Sequence, residues 1–218
     1  MTDFILQGDL FKHHIIQHLN LNTYIDLSLI SKYYNQYYNM YFNDYMCDII
    51  IYRLKLIFGT TYDIFKLLMN DSGAIITGSF IIQCLLGVKW ENTDIDVFVP
   101  LACDDLFVDF CKSLKIKECD RMTYDVLLGK IVDIKDYYIN EHALQFITID
   151  DTNMIDFIND DFDFDICKNA FYYNQFKPKI DIYDIKLLLY KFIFIKDETI
   201  NDKRKRKYIE RGFKMIKK

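Results

Sequence analysis

The chain has 218 residues, 51% of them hydrophobic, and a formal net charge of −5. With 18 Phe and 17 Tyr against only 2 Pro and 7 Gly, it has ample apolar surface to bury, which excludes a long disordered or low-complexity protein. No apolar run reaches membrane-spanning length, and the start MTDFILQGDLFKHH lacks the basic region and small-residue cleavage site of a signal peptide. The expectation is an intracellular protein, cytoplasmic or nuclear, that makes no membrane contact.

The six cysteines, at 47, 84, 103, 111, 119 and 167, are scattered without a CxxC pair. They read as reduced, buried thiols, since zinc-ligand spacing is missing. Charge is unevenly spread. Residues 196 to 218 hold ten Lys/Arg and four Asp/Glu, a net of +6, leaving −11 on the first 195 residues. A basic tail suits a polyanion, or forms a solvated helix face.

Residues 1–55 read as a small helical domain. Leu10, Phe11, Ile15, Ile16 and Leu19 recur at helical spacing, Asn20–Thr23 breaks the run, and a second helix starts at Tyr24. Residues 56–218 read as a second, α+β domain: a mixed sheet flanked by helices. In chain order, Tyr62 to Met69 is expected to be a helix, 70–73 a turn, and Ala74-Ile75-Ile76 the first strand. The amphipathic run Phe80 to Leu86 follows, then alternation around Asp94-Ile95-Asp96-Val97, then a helix over 103–115. Residues 129–138 and 143–149 read as strands, Met154 to Ile158 as a short helix, and Phe162 to Cys167 as an alternating strand. Asp181 to Ile195 and about 200–216 read as two closing helices.

The run that points to chemistry is Gly78-Ser79, fourteen residues, then Asp94-Ile95-Asp96. Residues two apart in a strand share a face, so Asp94 and Asp96 project together while Ile95 and Val97 face the other way. Paired carboxylates near a glycine turn suit a divalent metal and a triphosphate. This stretch resembles the DNA polymerase β-like nucleotidyltransferase superfamily, whose pattern is a hydrophobic residue, Gly-Ser or Gly-Gly, a spacer, and Asp-x-Asp/Glu between hydrophobics. The spacer here is slightly longer than usual. FDFDIC (Phe162, Asp163, Cys167) and RKRKYIERGF (Arg204, Lys207, Tyr208, Arg211, Gly212, Phe213) look like segments of virus- and fungus-type members, so the resemblance covers about residues 60–216. The abundance of Asn, Ile, Lys, Tyr and Asp suggests an AT-rich genome, such as that of a giant DNA virus or of some protists.

The resemblance implies metal-dependent transfer of a nucleotidyl group from a nucleoside triphosphate to a protein, small-molecule or nucleic-acid acceptor. It implies Mg²⁺ or Mn²⁺ held by Asp94 and Asp96, with Gly78 and Ser79 binding nucleotide. The superfamily's third catalytic carboxylate, a metal ligand or base on a later strand, maps best to Asp163, so the resemblance implies Asp163 as a third metal ligand beside Asp94 and Asp96. Asp165, Asp150 and Asp151 are the other candidates, and LQFIT offers Gln145 and Thr148 where an acid is expected. Lys203–Lys207 and Arg211 are possible contacts for triphosphate or a nucleic acid. Trp90 either stacks on a base or packs. Separately, residues 9–39 resemble an F-box, with Gly8-Asp9-Leu10 replacing the usual Leu-Pro start. That resemblance implies a Skp-type adaptor as partner through residues 1–55. The alternative function is therefore an F-box-like interaction protein with a catalytically degenerate transferase domain.

Overall fold

The computed structural model describes residues 23, 25, 26, 29, 32–91, 93–119, 130–150, 153–195 and 202–217, with 32–40 and 217 described by backbone alone. A 27-residue helix, α1 (Lys32–Phe58), leads into α2 (Tyr62–Ser72). Then come β1 (Ile75–Thr77), α3 (Ser79–Leu86), β2 (Asp94–Pro100), α4 (Asp104–Ser113), β3 (Lys117–Cys119), β4 (Ile131–Ile139), β5 (His142–Ile149) and α5 (Met154–Asp161). Beyond a 3₁₀ turn at Asp165–Cys167 follow β6 (Ala170–Asn174), β7 (Lys177–Asp181), α6 (Ile185–Tyr190), β8 (Phe192–Ile195), α7 (Asp202–Glu210) and β9 (Lys214–Lys217). The expected α+β class holds: a mixed seven-stranded sheet of order β3-β4-β5-β2-β1-β6-β7, flanked by helices. Only β2 and β5 run parallel within it. A separate parallel pair, β8 and β9, is bridged by α7.

The two sheet faces are covered differently. Ile76, Val97, Val99, Leu144, Phe146 and Phe171 join the large core that also contains Met46, Ile50 and Leu54 of α1 and Phe65 of α2. The boundary expected between residues 55 and 56 thus falls inside α1, whose buried side chains belong to the same core as the sheet. On the opposite face, Ile75, Phe98, Ile147 and Ala170 pack under Phe157 and Ile158 of α5. Among the described residues, α5 covers one part of that face, and the remainder carries the acids described below.

Helix α3 is not amphipathic as expected. Every residue from Ser79 to Leu85 is buried, so it is a central helix enclosed on all sides. Several other expectations shift. Residues 70–72 complete α2, and Gly73 stops it in the left-handed conformation at φ 70°. The alternating Phe162–Cys167 stretch is not a strand. Phe164 makes one isolated bridge to Ile195, and Asp165–Cys167 curls into 3₁₀. Its alternation reflects a turn whose successive side chains find separate buried partners, not a ladder. The helix expected over 181–195 is shortened to six residues. Asp184 caps it by accepting from Lys186 N at 2.8 Å, and Lys191 ends it at φ 51°. The closing helix likewise stops at Glu210, because Gly212 at φ 85° turns the chain into β9.

The hairpin β6–β7 lacked a sequence signal. Its turn residues Gln175 and Phe176 both have positive φ, 49° and 62°, where glycine or asparagine is usual. Pro178 is tolerated because β7 is an edge strand. No described helix is long and apolar enough to cross a membrane. Most of the F-box-like stretch lies outside the described residues. Those that are described in it, Thr23, Ile25, Asp26, Leu29 and residues 32–39, are helical.

Candidate functional site

Strand β2 is flanked by β1 and β5 at the centre of the sheet, which fixes where its aspartates point. Thr77 pairs with Asp96 on one side, and Gln145 pairs with Asp96 on the other. Asp94 and Asp96 share the face that α5 covers only in part, as the period of two requires. Both are half-buried. Burial and the neighbouring Asp94 push the Asp96 carboxyl up to about 7, against the pull of Lys207 and Arg204.

Gly78 turns β1 into α3 at φ 73°, ψ −148°, a conformation essentially reserved for glycine. A Cβ at this position would lie 2.5 Å from Asp96 Oδ2. The turn and the carboxylate therefore meet with no room between them. The 3₁₀ turn buttresses this junction from behind: Cys167 O accepts from Thr77 Oγ1 at 2.7 Å and from Gly78 N at 3.4 Å. Ser79, buried, opens α3. The first backbone N–H groups of α3 lack intrahelical acceptors and face the end of the helix where an anion is favoured.

Helix α7 brings cations to the acids. Arg204, Lys207 and Arg211 recur at intervals of three and four, which places them along one face, while Tyr208 beside them is buried against Phe164 and Phe213. Arg204 Nη1 pairs with Asp163 Oδ2 at 2.9 Å. The Arg211 guanidinium lies 4.2 Å from the Trp90 ring centroid, and its buried Nη1 has no hydrogen-bond partner among the described residues. Burial and the adjacent Arg211 pull the Lys207 ammonium below its ordinary value, and burial does the same to Arg211. Lys207 makes no ion pair or hydrogen bond among the described residues. The sequence signal for these cations was the basic run itself, which a solvated helix face explains equally well.

Asp163 is thus held by Arg204, and Asp165 lies 3.2 Å from the buried Lys168 ammonium. Among the described residues, no three of His, Cys, Asp and Glu gather as a metal group. The donor set at the centre is the pair Asp94 and Asp96. Two carboxylate ligands with open positions fit Mg²⁺, which takes oxygen ligands and usually keeps water or substrate phosphate in the rest of its shell. The missing Cβ of Gly78 fits as well, because it lets the turn backbone stand directly beside the Asp96 carboxylate. Asp136, on β4, is an acid that sequence reasoning did not single out. It sits opposite Gln145 in the same cross-strand row, visible only once strand register is known.

The electrostatics carry a pH signature. An Asp96 carboxyl raised in the folded state binds its proton more tightly than in the unfolded chain, so metal-free stability falls as pH rises from about 4 through about 7. A divalent cation favours the ionised form, so stabilisation by metal grows over the same interval. Urea midpoints measured from pH 5 to pH 8, with and without Mn²⁺, are expected to diverge with increasing pH. Parallel curves would mean Asp96 does not meet the metal.

No family model matches the chain, and no curated protein sequence matches it. Solved structures do. The fold is similar to that of the Thermotoga maritima CCA-adding enzyme complexed with tRNA, at 17% identity and TM-score 0.50 over 76% of this chain and 42% of that one. A CCA-adding enzyme in complex with CTP gives 19% identity and TM-score 0.48, over 77% of this chain and 42% of that one. A tRNA nucleotidyltransferase complexed with a primer tRNA and an incoming ATP analog gives 18% and 0.42, over 59% and 37%. The chain spans less than half the length of these proteins. The likeness is one of fold.

Proposed function

We propose that the protein binds a nucleoside triphosphate with Mg²⁺ or Mn²⁺ and transfers the nucleotidyl group to an acceptor hydroxyl, releasing pyrophosphate. One observation carries this reading: a pair of acids and a pair of cations converge on one place. Asp94 beside Asp96 disfavours ionisation of Asp96, and Arg211 beside Lys207 disfavours protonation of Lys207. A cation relieves the first pair and a polyanion the second. Metal-bound triphosphate is a ligand class that supplies both.

Asp94 and Asp96 would hold the metal, which when bound would neutralise phosphate charge and lower the pKa of a bound acceptor hydroxyl. The chain's own contribution is placement. Gly78 lets the backbone approach the triphosphate, and Ser79 with the N-terminus of α3 offers donors to its oxygens. Lys207 and Arg211 counter charge that spreads onto the phosphates during transfer, and Asp163 holds Arg204 in place for the same task. The acceptor classes that stay open are a nucleic-acid end, a protein hydroxyl and a small molecule. A second reading, a nucleotide-binding module without turnover, is favoured by one feature: Gln145 occupies the strand position where a third acid is expected. A Skp-type adaptor as partner of the N-terminal segment belongs to that reading.

Lys207→Ala tests the arrangement. The variant is expected to raise the dissociation constant for Mg²⁺–nucleoside triphosphate about tenfold. It should also flatten the dependence of affinity on salt, and leave the binding of Mn²⁺ alone unchanged. Titration calorimetry at two ionic strengths measures all three. Wild-type nucleotide affinity in the variant would remove α7 from the site.

A further inference from the structure

The reading above leaves one buried acid of the site without a task. Asp96, Gln145 and Asp136 form a row across three adjacent strands, each paired directly with the next. Directly paired residues project to the same face. Gln145 is 5% exposed and Asp136 8% exposed. Gln145 Nε2 donates to Asp136 Oδ1 at 2.8 Å. An ionised carboxylate only accepts, so this bond dictates which end of the carboxamide faces β4. The amide nitrogen turns toward Asp136, and the amide oxygen lies on the other branch of the carboxamide. Further along the same face, Phe98 and Ile147 fill the equivalent places with apolar side chains. A carboxylate buried there costs solvation that an apolar residue would not, so its retention calls for a reason beyond packing.

We propose that Asp136 is a positioning residue of the metal–triphosphate site, fixing the Gln145 carboxamide beside Asp96. The third acid of the site then stands one strand further out and acts through an amide, without touching the substrate. This rests on the metal–nucleotide reading of Asp94 and Asp96. It also explains how LQFIT can lack an acid and still serve the site. The polar group paired with Asp96 is held in one orientation by an acid on the next strand.

Mn²⁺ titration of the full chain, followed by the electron paramagnetic resonance signal of free Mn²⁺, tests the proposal without turnover. Asp136→Asn is expected to weaken Mn²⁺ affinity about tenfold, the low end of what loss of an outer-shell partner costs. Without metal, its thermal midpoint should stay the same or rise. The double variant Gln145→Glu/Asp136→Asn moves the carboxylate to the position paired with Asp96 and keeps a hydrogen-bonded pair in the same space. It should bind Mn²⁺ at least as tightly as wild type, and it decides the matter should the single variant fail to fold. A tenfold loss in the double variant overturns the proposal. Unchanged affinity in a folded Asp136→Asn overturns it too, while the nucleotide reading stands. A wild-type chain that binds neither Mn²⁺ nor Mn²⁺–nucleoside triphosphate overturns both.

Discussion

Asp96→Asn is expected to make the metal-free protein more stable and, at the same time, to abolish its stabilisation by nucleotide. Asp94 and Asp96 stand two residues apart on one strand face, and burial with this neighbour pushes Asp96 up to about 7. At pH 8 the ionised pair therefore works against the fold. Removing one charge should add about 1 to 2 kcal/mol, after allowing for solvent screening at a half-buried site. Ligand at a hundred times its dissociation constant stabilises the wild type by about 2.7 kcal/mol, and that gain should vanish in the variant. Urea unfolding at pH 8, with and without Mg²⁺ and nucleotide, reads both effects. A site that trades stability for ligand binding moves these two quantities in opposite directions. A less stable variant that still responds to nucleotide would mean that Asp96 is a structural residue.

Gly78→Ala should be the most damaging single methyl group in the chain. Two costs combine. Alanine at φ 73°, ψ −148° is strained by about 1 to 3 kcal/mol. Its Cβ would also sit 2.5 Å from Asp96 Oδ2, so the carboxylate or the turn must move. The carboxylate can yield only by turning about its own side-chain bonds, since its backbone in β2 is locked between β1 and β5. The turn is tied in turn to Cys167 O through Thr77 and Gly78. We expect a stability loss of about 2 to 4 kcal/mol and no detectable nucleotide response. Gly73→Ala is the control. It also has positive φ, 70°, but nothing lies within 4 Å of the added Cβ. A loss at Gly78 no larger than at Gly73 would show that the contact with Asp96 carries no energy.

The centre of this site was legible in the sequence because local pattern encodes it. A glycine that must turn a strand into a helix, and two acids alternating with Ile95 and Val97, announce themselves within twenty residues. The partners of that centre were not legible, for two physical reasons. Asp136 and Gln145 come to Asp96 through strand register, a long-range property set by which strands pair. Arg204, Lys207 and Arg211 were visible as charges, but only the docking of buried Tyr208 brings that helix up to the acids. Asp163 had a motif to recommend it as a ligand, and the structure adds its ion pair with Arg204. The misread segments fail for related reasons. Phe162–Cys167 alternates without a neighbour to form a ladder, and Phe192–Ile195 becomes a strand because β9 pairs with it.

The most direct measurement is calorimetric titration of each nucleoside triphosphate into the full chain, with and without Mg²⁺, beside Asp94→Asn/Asp96→Asn. The expected result is saturable binding of at least one nucleotide that requires Mg²⁺ and disappears in the double variant. Binding that persists without metal, or equally in the variant, or no binding of any nucleotide, would contradict a metal–triphosphate site at Asp94 and Asp96.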